Sequence, residues 1–132
     1  MISVDTNVLA RLFVTDDLRQ HAIAKAFFAQ RTTEDPVFVS TIVVVELAWL
    51  LKKTFDYRKS DIVAAVGAIL DSPDFVVERH DVLGAALDIA SNSKASVADA
   101  IIAAVAAAEG ARVTMTFDVG AARDIPGMEL LK

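Results

Sequence analysis

Apolar residues along this chain fall into two spacings. Short β-branched runs, Ile2 and Val4, Val37-Phe38-Val39, Phe75-Val76-Val77 and Val113-Thr114-Met115, each stop within a few residues, as buried strands do. Between them lie longer stretches with apolar residues three and four apart, which is helical spacing. The first strand is followed by helices over Asn7–Val14 and Asp17–Arg31, broken at Thr15-Asp16-Asp17. Ala22, Ile23, Ala26, Phe27 and Ala29 give the second of these an apolar face. Pro36 closes that unit, and Ser40 or Thr41 caps a helix to about Lys53. Ser60 caps a helix over Asp61–Leu70, and Asp71-Ser72-Pro73 ends it. A strand at Phe75–Glu78, a helix from Asp81 to about Ser91, and an alanine-rich helix Val97–Glu109 stopped by Gly110 come next. Arg112–Thr116 is a fourth strand and Met128–Leu131 a fifth.

Strands that alternate with helices pair in parallel through right-handed crossovers. The expectation is a three-layer α/β/α domain with a short, mainly parallel sheet of four to five strands. The first strand should lie near its centre, with a switch point opening toward the fourth. At 132 residues this is one domain, 1–132, able to bury roughly two-thirds of the surface its unfolded chain exposes. The absence of cysteine excludes disulfides and thiolate metal sites. No basic leader precedes the first strand, and Glu46 and Asp99 interrupt the apolar stretches well short of a membrane span. A soluble cytoplasmic protein is the expectation.

A net charge of −5 argues against holding nucleic acid by bulk positive potential. It leaves room for a nuclease whose acids are neutralised by divalent cations and which carries a local basic patch. Lys52, Lys53, Arg58 and Lys59 form the one such cluster, although lysines at a helix C-terminus also complement the helix dipole. His21 and His80 have no ligand-like spacing and read as surface residues. Trp49 and the Phe27-Phe28 pair read as core or subunit-interface aromatics.

The acids carry the candidate chemistry. Asp5 ends the first strand, where open α/β sheets place their ligands. Asp118 ends the fourth. Glu46 is the sole ionisable group between Ser40 and Leu51, and Asp99 the sole polar group in Val97–Ala108. A buried unpaired carboxylate costs several kcal/mol, so each such acid needs a cation, a proton or a wet pocket. Asp5 and Asp118 could instead be helix caps, and Ser96 with Asp99 resembles a capping box. Taken together, the four are expected to converge on one cleft. Carboxylates with waters and a substrate phosphate suit Mg²⁺, which can activate water for phosphodiester cleavage. Asn7 and Thr116 are candidates for supporting positions.

Val4-Asp5-Thr6-Asn7-Val8-Leu9, Val45-Glu46-Leu47, Ala98-Asp99-Ala100-Ile101-Ile102 and Thr116-Phe117-Asp118, in this order, resemble the PIN domain family, and within it VapC-type toxin ribonucleases. Ala121-Ala122-Arg123 and Pro126–Leu131 fit as well. The resemblance implies Mg²⁺- or Mn²⁺-dependent endonucleolytic cleavage of RNA, a homodimer, and inhibition by a VapB-type antitoxin. It maps the metal-binding and catalytic acids onto Asp5, Glu46, Asp99 and Asp118. Many relatives have a further Asp three residues before the acid matching Asp99, where this chain has Ser96. Rival readings are a haloacid-dehalogenase-like phosphatase, which would want an acid at Asn7, a receiver domain, which would want a phosphorylatable Asp ending the third strand, and a non-catalytic PIN-fold binding module.

Overall fold

A computed structural model describes residues 1–132. The strands are β1 (Ile2–Ser3), β2 (Val37–Val39), β3 (Phe75–Val77), β4 (Thr114–Thr116) and β5 (Met128–Leu130). The helices are α1 (Thr6–Ala10), α2 (Leu18–Ala29), α3 (Thr41–Lys53), α4 (Lys59–Asp71), α5 (His80–Ser91), α6 (Val97–Ala108) and α7 (Val119–Asp124). All strand pairs are parallel, as the alternation of elements requires. The domain is α/β with short parallel strands, matching the expected class.

The ladder order differs from expectation. The strands form two groups, β1-β2-β3 and β4-β5, so β2 is central and β1 lies at an edge of its ladder. No ladder bond joins β1 to β4. A two-residue β1 offers few backbone groups to a second neighbour, and β4 instead pairs with β5 around α7. That helix was not anticipated. Its six residues follow Asp118, whose carboxylate accepts a hydrogen bond from the Ala121 N–H.

A main core of 23 buried residues centres on Val37 and Val39 of β2 and the inward faces of α3 to α6. Val44, Leu47, Ala48 and Leu51 supply the face from α3, at the spacing that puts side chains on one side of a helix. A smaller cluster of Ala95, Ala103, Ala121, Ile125 and Met128 ties α7 and β5 to α6. In α2 the predicted apolar face is mostly solvent-exposed. The inward stripe is Ala24, Phe27, Phe28 and Arg31: Phe28 stacks on Phe75 at 5.9 Å, and the Arg31 guanidinium lies 4.7 Å above the Phe27 ring.

Helix ends mostly follow local chemistry. Ser40 caps α3, accepting from the Val43 N–H. Gly110, at φ +93°, closes α6 with the Gly110 N–H on Ala107 and the Ala111 N–H on Ala106, a Schellman ending. Ser60 does not cap α4: that helix starts two residues earlier than expected, at Lys59, with Arg58 at the cap position and no side-chain cap bond. The ammonium of Lys59 instead donates to the carbonyls of Ser93 and Ala95, which fastens the α5–α6 connection to α4. The helix after β1 ends at Ala10 rather than Val14, and the chain continues as a turn through Arg11. Arg11, the one buried charged residue, donates to the Asn7 carbonyl and pairs with Asp16.

Candidate active site

β1 delivers Asp5 to the start of α1. Its Oδ1 accepts a 3.0 Å hydrogen bond from the Val8 N–H, a helix N-cap. Capping occupies one of two carboxylate oxygens, and a carboxylate can accept several further contacts. Cap and ligand are therefore compatible roles for Asp5. One residue on, the Thr6 hydroxyl donates to Glu46 Oε1 at 3.1 Å, which joins the first turn of α1 to the middle of α3. Asp5, Thr6, Asn7, Glu46 and Trp49 line one open cleft.

Glu46 is not the buried acid that its apolar neighbours suggested. It is exposed, because α3 is apolar well beyond the face it buries: Ile42 is 72 % and Trp49 58 % exposed, on the same side as Glu46. The desolvation argument for Glu46 therefore fails, and its orientation rests on Thr6. Asp99 is half-buried. Ser96 caps α6 by accepting from the Asp99 N–H at 3.1 Å, but the Asp99 carboxylate returns no bond. Half of the capping box is present, and the carboxylate is left to line a cleft with Trp49, Lys52, Lys53 and Lys94.

Asp5, Glu46 and Asp99 line two adjoining clefts that share Trp49. Asp5 and Glu46 share the first, Asp99 lies in the second across Trp49, and Asp118 lines neither. Asp118 is exposed at the start of α7, where Thr116 Oγ1 accepts from its N–H and its own carboxylate caps the helix. No three acidic or histidine side chains stand together in metal-binding geometry. Asp118 follows β4, which pairs with β5 and not with β1. Asn7 lines the Asp5 cleft with its carbonyl engaged by Arg11, whereas Thr116 supports Asp118 alone.

The donor set of the first cleft still suits a hard dication. Mg²⁺ needs only one or two carboxylates when waters and a substrate phosphate complete its octahedron. Asp5 and Glu46 supply two, with no competing histidine or thiolate. Two residues that sequence reasoning passed over matter here. Thr6 holds Glu46, and Lys94 lines the same cleft as Asp99. Only long-range packing reveals either.

Elsewhere, the histidines are structural. His21 Nδ1 lies 2.7 Å from the Arg11 carbonyl. His80 Nε2 lies 2.7 Å from the Leu70 carbonyl and so must donate to it. That bond, with the neighbouring Asp81, raises the pKa of His80 above its ordinary value of 6.5. At the end of β3, hydrogen bonds from Thr41 at the head of α3 hold the Glu78 carboxyl below the usual carboxylate range.

The PIN domain family model matches residues 2–125. Among solved structures, the chain is similar to Mycobacterium tuberculosis VapC20, described as a Sarcin-Ricin loop cleaving toxin. Sequence identity is 26 %, coverage is 89 % of this chain and 88 % of that one, and the TM-score is 0.47. A comparison with curated proteins found no match.

Proposed function

Because this chain belongs to the PIN domain family, we propose that it is a divalent-metal-dependent endoribonuclease and the toxin of a toxin–antitoxin pair. The observation that carries the reading is the cleft where Asp5, oriented by its helix cap, and Glu46, oriented by Thr6, meet on one open surface. Such a cleft admits a phosphodiester backbone and offers it two fixed carboxylates.

Asp5 and Glu46 would hold Mg²⁺ or Mn²⁺, with Asp99 and Asp118 completing the proposed catalytic quartet. When bound, the cation supplies activation of water and neutralisation of phosphate charge. The chain contributes preorganisation. The Val8 N–H fixes the Asp5 rotamer, the Thr6 hydroxyl fixes Glu46, and neither has to reorient when substrate arrives. No cysteine is present to act as a nucleophile, and hydrolysis by water requires none.

The same reading takes in the partners. The exposed Ile42 on α3 and Ile102 on α6 are large apolar groups that a second copy of the chain would cover, and an antitoxin segment over α3 would cover Trp49. No helix is long and apolar enough to cross a membrane.

The deciding experiment incubates purified protein with structured RNAs in Mn²⁺, Mg²⁺ or excess EDTA. Cleavage should require the metal, and Asp5→Asn should remove nearly all of it. Undiminished cleavage in EDTA, or an Asp5→Asn variant as active as wild type, defeats the proposal.

A further inference from the structure

The second cleft, about 370 Å³ between the end of α3 and the start of α6, collects positive charge in a chain that is acidic overall. Lys52 and Lys53 come from α3, Lys59 from α4, and Lys94 from the α5–α6 connection. The Lys59 ammonium is committed to the Ser93 and Ala95 carbonyls. Lys52, Lys53 and Lys94 form no ion pair. Asp124, near Lys94, is bound by the Arg123 guanidinium at 2.8 Å and feels the Lys94 charge only after it. The helix dipole accounts for Lys52 and Lys53 but not for Lys94, which the α5–α6 connection brings to the same cleft.

Trp49 stands where this cleft meets the one that holds Asp5 and Glu46, and it lines both. The residue is 58 % exposed and its indole stacks on no other ring of the chain. Free ammonium groups beside an open aromatic face are the two elements that recognise unpaired nucleic acid, since the cations follow phosphates and the ring stacks a base. A duplex offers no unstacked base to such a ring.

We propose that single-stranded or looped RNA runs through this cleft, its phosphates on Lys52, Lys53 and Lys94 and one base stacked on Trp49. Trp49 then fixes which phosphodiester reaches Asp5 and Glu46, and so determines the cleavage position. The assignment rests on the ribonuclease reading for its choice of ligand.

Trp49 is the single tryptophan of the chain, so its emission reports binding at this point directly. The full chain in EDTA is titrated with a single-stranded RNA of about twelve nucleotides, with the same sequence as a duplex, with inorganic polyphosphate and with an acidic peptide. The single strand should quench Trp49, while polyphosphate and peptide should not, and the duplex should bind more weakly. Trp49→Leu should weaken single-strand binding roughly tenfold and Trp49→Phe less. Lys52→Ala/Lys53→Ala should flatten the dependence of log affinity on log salt by about 0.7 for each phosphate that is no longer neutralised. In Mn²⁺, Trp49→Leu should shift or blur the cleavage positions.

Quenching by polyphosphate or the acidic peptide equal to that by RNA would overturn the proposal. So would quenching on concentrating the protein alone, or lysine and tryptophan variants that bind as wild type does. RNA cleavage that proceeds unchanged in those variants removes this track and leaves the ribonuclease standing. Binding with the predicted signatures but no metal-dependent cleavage does the reverse.

Discussion

Carboxylates at helix starts have two callings, and each acid here divides them differently. Asp5 and Asp118 cap helices through one oxygen, while Asp99 leaves that duty to Ser96. Ser96→Ala should therefore destabilise the protein by about 1 kcal/mol in a denaturant melt, with or without metal. Asp99→Ala should leave the melting temperature in EDTA nearly unchanged, yet lose much of the stabilisation that millimolar Mn²⁺ gives by binding the folded state. A mutant that melts lower in EDTA but keeps the full Mn²⁺-induced rise would make Asp99 a cap only. Thr6 offers a sharper case, because its hydroxyl bonds to nothing except Glu46. Thr6→Val, close in shape, should lower cleavage about 10- to 100-fold, as loss of groups that orient metal ligands does, while the melt stays near wild type. Wild-type turnover in Thr6→Val would show that Glu46 needs no holder.

At the scale of elements, the ends of α4, α5 and α6 govern how the site-bearing helices are held. Gly110 sits at φ +93° in open space, so a methyl group there meets no atom and the cost is purely conformational. Gly110→Ala should lower unfolding free energy by about 1–2 kcal/mol, and Gly110→Asn by less. Equal stability of Gly110→Ala and wild type would contradict the left-handed ending. His80 joins the first turn of α5 to the last turn of α4 through the Leu70 carbonyl, and the folded state raises its pKa. A raised pKa means that the folded form binds the proton more tightly. The contribution is thus complete below the ordinary imidazole pKa of 6.5 and is lost as pH rises through the higher folded value. Melting temperatures between pH 6 and 9 should fall more steeply for wild type than for His80→Gln. Parallel profiles would mean that this proton is not linked to folding. Glu78 carries the opposite sign: its lowered pKa contributes above the ordinary carboxylate range and fades as pH falls through its folded value.

For the whole molecule, two hydrophobic clusters and an uncovered apolar side of α3 frame what can be measured. The five-residue cluster under α7 and β5 includes Ala103 of α6 and Ala95 of the α5–α6 connection. Amide protons of β4 and β5 should exchange faster than those of α3, whose buried face belongs to the main core. Uniform protection across both would mean that the clusters open together. Sedimentation at micromolar concentration tests the homodimer: Ile42→Lys should dissociate it, and a strictly monomeric wild type would remove that part of the reading. Family membership also sets aside the phosphatase and receiver alternatives, leaving the non-catalytic PIN module for the cleavage assay to decide.

Much of this protein was written into local sequence. The alternation of β-branched runs with helical spacing sufficed for an α/β domain with parallel strands, because periodicity is a property of neighbouring residues. Ser40 as a cap and Gly110 as a stop were legible for the same reason, as were Asp5 and Asp118 at the ends of their strands. Tertiary structure decided the rest. Whether β1 pairs with β4 depends on long-range pairing, which periodicity does not specify. The exposure of Glu46 could not be read from its neighbours, since Ile42 and Trp49 are apolar whether or not anything covers them. Thr6 beside Glu46, and Lys94 in one cleft with Lys52, join residues about forty positions apart in the chain, and such groupings exist only once the helices have packed.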